Sequence, residues 1–122
     1  MAEFLFPLYP DGSADAITVS GTNTVISVTN YLTKITGENA DDKASLPAGL
    51  KTGQMKKLQY VAESASGDDV DVTLTNAESA SLDVIRMTTV GDYAICQWTG
   101  SYWKILEPVS YTHLTLPTTP YV

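Results

Sequence analysis

Apolar and polar side chains alternate with a period of two along most of this chain, the pattern of strands that bury one face. The clearest stretch runs from Val70 to Leu74. Val70, Val72 and Leu74 face one way, while Asp69, Asp71 and Thr73 face the other. That pattern predicts a half-buried strand in an antiparallel sheet. Further strands are expected over Ala16 to Val19, Thr24 to Val28, Tyr31 to Thr36, Lys56 to Ala62 and Leu82 to Met87. Thr24 to Val28 is rich in β-branched residues, which suit a pleated surface. Within the Lys56 stretch, Leu58 and Tyr60 share one face, and Gln59 and Val61 share the other. Ser20-Gly21-Thr22-Asn23, Gly37, Ser64 to Asp68 and Asn76 to Ser79 separate the strands as turns. Glu38 to Gly53 is polar, contains Pro47 and Gly49, and reads as a long loop. Ala77 to Ala80 is the best helical fragment and is too short to stand alone.

The last two strands, Tyr93 to Trp98 and Tyr102 to Leu106, flank Thr99-Gly100-Ser101 as a hairpin. Gly100 can supply the positive φ that tight hairpins need. Ala94, Cys96 and Trp98 share a face, and a loop of even length puts Trp103 and Ile105 on that face too. Both tryptophans are then expected in the core beside a buried Cys96. Tyr93 and Tyr102 fall on the other face. The whole predicts an all-β domain, an antiparallel β-sandwich or barrel-like fold of about seven or eight short strands. The expected organisation is an N-terminal arm over 1–15, a β-domain over 16–108 and a separate tail over 109–122.

The arm, Ala2-Glu3-Phe4-Leu5-Phe6-Pro7-Leu8-Tyr9-Pro10, is apolar but short, with an acidic residue in front and two prolines. It lacks the basic start and longer apolar core of a secretory signal, so Met1 is expected to be a true start and export is not expected. Two uses for the arm remain open. It can pack on its own domain, or it can dock on a neighbouring subunit, since exposed Phe4, Phe6 and Tyr9 would be a liability.

The tail resembles a translated sequencing adapter of the transposase type. The codons GTC TCT TAT ACA CAT CTG ACG CTG CCG ACG spell Val109 to Thr118 in order. A non-native segment is set aside in reasoning about fold, and the native C-terminus is expected to lie elsewhere. His113, the one histidine, falls in this tail, so residues 1–108 contain no imidazole. A His-containing hydrolytic triad and a His-ligated metal are thereby excluded from the β-domain.

Charge removes other classes. Seven Lys/Arg against fourteen Asp/Glu give a net charge of −7 in 122 residues. A nucleic-acid binder would carry a basic face, so no nucleic-acid partner is expected. No apolar run approaches the roughly 20 residues of a membrane-spanning helix, so no membrane partner is expected either. A single cysteine permits neither an internal disulfide nor a Cys-based zinc site.

Few residues offer chemistry, and each has a plainer use. Asp68, Asp69 and Asp71 are acidic neighbours, but Gly67 precedes them and no later Glu completes a calcium loop. They read as a solvated strand edge that discourages edge pairing. Glu38, Asp41 and Asp42, beside Lys43, read as a solvated loop. No pair of carboxylates carries a cleft signature of the kind glycosidases need. Cys96 has no base beside it and reads as a small buried hydrophobe. Gly49 and Gly53 lack the context of a phosphate-binding loop. No catalytic, cofactor or metal residue is assigned. Trp98, Tyr102 or Tyr93 could form a platform for a sugar ring, but large aromatics serve cores more often.

One ordered set of motifs adds a resemblance. Leu46-Pro47-Ala48-Gly49 and Thr52-Gly53-Gln54-Met55-Lys56-Lys57 come first, then Val70-Asp71-Val72-Thr73-Leu74-Thr75-Asn76-Ala77. Val90-Gly91-Asp92-Tyr93-Ala94-Ile95-Cys96-Gln97-Trp98 and Gly100-Ser101-Tyr102-Trp103-Lys104-Ile105-Leu106 close the set. This order is similar to a β-rich module of tailed-phage virion proteins, notably marine ones, found in head-decoration, fibre and spike subunits. It covers about residues 40 to 107, and the terminal hairpin is its most specific part. The resemblance implies a virion location, a non-enzymatic role and self-association, often as a homotrimer. It implies the major capsid protein or another virion protein as partner, with a cell-surface glycan as the alternative. It carries no catalytic motif and no cofactor.

Overall fold

The computed structural model describes residues 14–107; the arm before Ala14, the adapter-like stretch and His113 lie outside them. Nine strands follow in order: β1 (Ala14–Val19), β2 (Thr24–Val25), β3 (Leu32–Gly37), β4 (Asp42–Leu46), β5 (Met55–Glu63), β6 (Val70–Leu74), β7 (Val84–Met87), β8 (Tyr93–Trp98) and β9 (Trp103–Glu107). A 3-10 turn at Ala80–Leu82 precedes β7. The domain is all-β among the described residues.

The strands form two sheets, a five-stranded one in the order β1-β3-β5-β8-β9 and a four-stranded one in the order β2-β4-β6-β7. From β1 to β6 the chain winds as a coil, passing from one sheet to the other at every strand. Neighbours within each sheet are therefore parallel: β1 with β3, β3 with β5, β2 with β4, and β4 with β6. Only the last strands reverse direction, giving antiparallel pairs β5–β8, β6–β7 and β8–β9.

These mixed sheets correct the antiparallel expectation, and neither sheet closes into a barrel. Period-two alternation records which face is buried, not the direction of the partner strand. Parallel sheets usually carry helices on their faces and read as continuous apolar runs. Here the return strand of each parallel connection lies in the opposite sheet, so each sheet keeps a bare outer face and its strands alternate. One core lies between the sheets. Ile35, Leu58, Tyr60 and Cys96 enter it from the first, and Leu46, Val72, Ile85 and Met87 from the second.

Two further expectations change. The stretch Glu38 to Gly53 contains β4, whose Asp42, Ala44 and Leu46 point inward while Lys43 is exposed. Its strand character was masked by an inward aspartate and an inward alanine in place of large hydrophobes. Thr24 to Val28 shortens to the two residues of β2, although Ile26 is fully buried just after it.

The terminal hairpin forms as expected. Trp98 and Trp103 are direct partners across the Thr99–Tyr102 turn, and Gly100 has φ of 104°. The start of β9 is also latched to the turn after β6, where Trp103 N donates to Asn76 O at 2.8 Å.

Candidate functional site

The motif residues that distinguish this chain converge on one buried assembly where the β4–β5 loop meets the terminal hairpin. Trp98 and Trp103 pack edge-to-face with centroids 5.4 Å apart and an interplanar angle of 63°, a favoured aromatic geometry. Trp103 is fully buried, and its Nε1–H donates to the Pro47 carbonyl at 2.8 Å. Gly49 lies flat against Trp98: a Cβ there would overlap Trp98 Cβ, Cγ and Cδ2, so the close approach requires glycine. Gln54 is fully buried and bridges two segments. Its Nε2 donates to Val28 O at 2.6 Å, and its Oε1 accepts from Leu50 N at 2.6 Å. The Gln54 and Trp98 backbones add a link, Trp98 N to Gln54 O at 2.8 Å.

Two residues further on, Lys56 also points inward. Its Nζ donates to Thr33 Oγ1 at 2.6 Å and to Asn30 O at 2.9 Å. Burial pushes the ammonium down to about 8 against the opposing pull of the Asp15 carboxylate. Tyr60, on the same face of β5, donates its hydroxyl to Asp68 O at 2.8 Å. Burial, helped by the charges of Glu63, Asp68, Asp69 and Asp42, pushes that hydroxyl up to about 12. Burial likewise lifts the Cys96 thiol to about 12, which makes it a poor nucleophile near neutral pH.

These three groups fix the sign of the alkaline stability profile. Between pH 8 and 9 the unfolded chain keeps a Lys56 proton that the folded chain releases. Stability therefore rises with pH, by at most about 1.4 kcal/mol per unit. Above the ordinary thiol value of 9.0 the unfolded chain loses the Cys96 proton that the folded chain retains, and the two effects cancel. Above 10.0 Tyr60 acts in the same sense as Cys96, and stability falls. Urea titrations across this range are expected to show a maximum at about pH 9 to 10. Lys56→Met is expected to remove the rise while leaving the fall.

Several acidic side chains are tied into the fold. Asp42, expected in a solvated loop, is instead only 3% exposed. Its carboxylate accepts from the backbone of Gly21, Glu38 and Asn39 at 2.7–3.0 Å. Burial alone would raise its pKa. The hydrogen bonds from Asn39, Glu38 and Gly21 outweigh that and hold it below the usual carboxylate value. Asp68, expected on an exposed edge, is buried, and its Oδ2 accepts from Ala65 N at 2.9 Å. Asp71 pairs with Arg86 at 3.1 Å and stands 3.9 Å from Lys43, while Asp69 stands 4.0 Å from Arg86. Asp92, in the Val-Gly-Asp turn, accepts from Thr88 N and Thr89 N, both at 3.0 Å. Among the described residues no three His, Cys, Asp or Glu side chains are grouped to hold a metal ion.

Of the aromatics considered for a sugar platform, Trp98 is 7% exposed and offers no ring face. Tyr93 and Tyr102 are half-buried. Tyr93 belongs to the outer face of the five-stranded sheet, with Lys57 Nζ 5.2 Å from its ring centroid, in the range of a cation–π contact. Cross-strand rows on that face run Leu32–Lys57–Ile95 and Lys34–Gln59–Tyr93. Met55–Gln97–Lys104 makes a third row. Leu32, Met55 and Ile95 are half-buried, and Leu106 beside them is 44% exposed. Three of the seven basic residues, Lys34, Lys57 and Lys104, stand on this one face of an acidic protein.

No known protein family, curated protein or solved structure matches the chain. Sequence reasoning placed the tryptophans, Tyr60 and Cys96 correctly. It passed over Gln54 and Lys56 as inward polar anchors, although Lys56 shares the parity of Leu58 and Tyr60 in β5. No helix among the described residues is long and apolar enough to cross a membrane.

Proposed function

We propose that this chain is a non-enzymatic structural protein of a tailed-phage virion, a head-decoration subunit acting through contacts between β-domains. One observation carries the reading: the side chains of its distinctive motifs are spent inside the fold, while the outer face of the five-stranded sheet keeps apolar residues in reach of a partner. Trp98, Trp103, Gln54 and Lys56 are all buried, with their polar atoms used within the chain. The order of those motifs, similar to phage virion modules, supplies the virion setting.

The partner assigned to the outer face is a second copy of the chain, in a cyclic trimer. A domain of this size buries a modest core and gains from association. Cyclic trimers use heterologous contacts, in which one patch meets a different patch on the next subunit. A lysine-bearing sheet face meeting the acidic remainder of a neighbour satisfies that geometry. The assembled trimer would then sit on the major capsid protein. A fibre or spike subunit would use the same face. A glycan-binding module would be left with Tyr93 and Tyr102 as its stacking rings.

Ile95→Glu tests the surface, because Ile95 lies at the centre of the face with its side chain away from the core. Sedimentation is expected to show a folded monomer for the variant where the parent chain is a trimer. An unchanged assembly state would remove this face from the interface.

A further inference from the structure

One end of the sandwich gathers acidic side chains. β1, β3 and β5 are parallel and finish together, and β2, β4 and β6 set out from that same end. β7 finishes there and β8 starts there, because they run antiparallel to β6 and β5. Hydrogen bonds join the turns: Ser64 N donates to Gly37 O at 3.0 Å, and Gly21 N donates to Asp42 Oδ1 at 3.0 Å. The turns over 20–23, 38–41, 64–69 and 88–92 hold Glu38, Asp41, Asp68, Asp69 and Asp92 and no Lys or Arg. The turns at the other end hold Lys51 with Glu78 and Asp83, and Glu78 is paired with Lys104 at 3.2 Å.

Within this end, Asp68 and Asp92 are turned onto backbone N–H groups of their own loops, and Asp69 stands 4.0 Å from Arg86. Glu38 and Asp41 are exposed and hold no ion pair among the described residues. Val90, in the last of the turns, is 44% exposed. The outer face of the five-stranded sheet is the converse. Its exposed Lys34 and half-buried Lys57 hold no ion pair among the described residues, and Leu32 and Ile95 flank Lys57 across the strands. We propose that this face of one copy receives the acidic turn end of the next, with Lys34 and Lys57 opposite Glu38 and Asp41, and Val90 against the apolar residues. The inference rests on the trimer reading and names the surface that meets the face.

Charge disfavours the two self-complementary contacts. Face against face would bring Lys34 and Lys57 of both copies together, and end against end would bring Glu38 and Asp41 together. Face against end is the complementary contact, and it is heterologous, the kind that builds rings. The directions also suit a ring of three. The sheet face lies along the strands and the turn end lies across them, so the two surfaces point at right angles. A 120° rotation about a diagonal permutes perpendicular directions, and contacts between such a face and such an end close after three copies.

The test compares four full-length chains by sedimentation equilibrium: the parent, Lys34→Glu with Lys57→Glu, Glu38→Lys with Asp41→Lys, and all four substitutions together. Circular dichroism checks that each folds. Lys34 is exposed, so Lys34→Glu alone reads the face if the double variant does not fold. Each reversed pair is expected to raise the concentration of half-assembly at least about tenfold, and the chain with both pairs reversed is expected to regain most of that loss. A parent trimer whose assembly ignores the Glu38 and Asp41 reversal would overturn this inference and leave the trimer standing. Loss in both paired variants without recovery in the combined chain would show that these two surfaces do not meet each other. A parent that stays monomeric throughout would overturn the trimer reading, and this contact with it.

Discussion

Trp103→Ala is expected to cost the domain more stability than any other single substitution considered for it. Trp103 has no exposed surface, packs edge-to-face on Trp98 at 5.4 Å and donates its indole N–H to Pro47 O. Truncating a buried tryptophan costs about 3–5 kcal/mol in transfer and cavity terms. The Pro47 carbonyl also loses its donor, at about 1 kcal/mol or more. Small domains hold about 5–15 kcal/mol in total. The urea midpoint is therefore expected to fall by at least about a quarter, and by most of its value if the parent domain lies at the low end of that range. Trp103→Phe separates the two contributions. It keeps a ring against Trp98 and loses the hydrogen bond, so its loss is expected to be well under that of alanine. Equal losses for the two variants would show that the indole N–H, not the packing, holds the hairpin to the loop.

Gln54→Leu is the second large effect, and it arises without a cavity. Leucine approximates the volume but leaves Val28 O without a donor and Leu50 N without an acceptor. A fully buried polar group left unpaired costs about 1–3 kcal/mol. Val28 is half-buried and Leu50 is 57% exposed, so water offsets part of the cost and a loss of about 1–4 kcal/mol is expected from the pair. Gln54 joins the β2–β3 connection to the β4–β5 loop, so hydrogen exchange at Leu50 is expected to speed up more than exchange in β6. A loss under about 1 kcal/mol would mean that water replaces the amide at both ends.

The contrast between these two residues shows what the sequence made legible. Trp98 and Trp103 were placed by parity alone, because an even loop forces two strands of known alternation into one register. Val70 to Leu74 was legible for the same reason. β4 was not, because its inward residues include Asp42 and Ala44, and a buried aspartate looks like a loop residue until its three backbone donors are seen. Those donors come from Gly21, Glu38 and Asn39, and the first is remote in sequence. The parallel pairing was hidden more deeply. Facing pattern is a property of one strand, whereas direction depends on which strands become neighbours. Here each neighbour in β1 to β6 is the next strand but one. Lys56 and Gln54 lay between these cases: their parity pointed inward, but their partners Asn30, Thr33, Val28 and Leu50 belong to distant or irregular segments.

The electrostatic pattern bears on assembly as well as on stability. Fourteen acidic residues against seven basic ones favour repulsion between copies in random orientations, and in the proposed trimer the lysines of the outer face would select one. The central claim is that association through that face is what this domain does. Its most direct test is the native mass of the full chain, by sedimentation equilibrium over a hundredfold dilution at physiological salt. A trimer that persists to the lowest concentration is the predicted result. A folded monomer at every concentration would contradict the account and leave the outer face without the partner proposed for it.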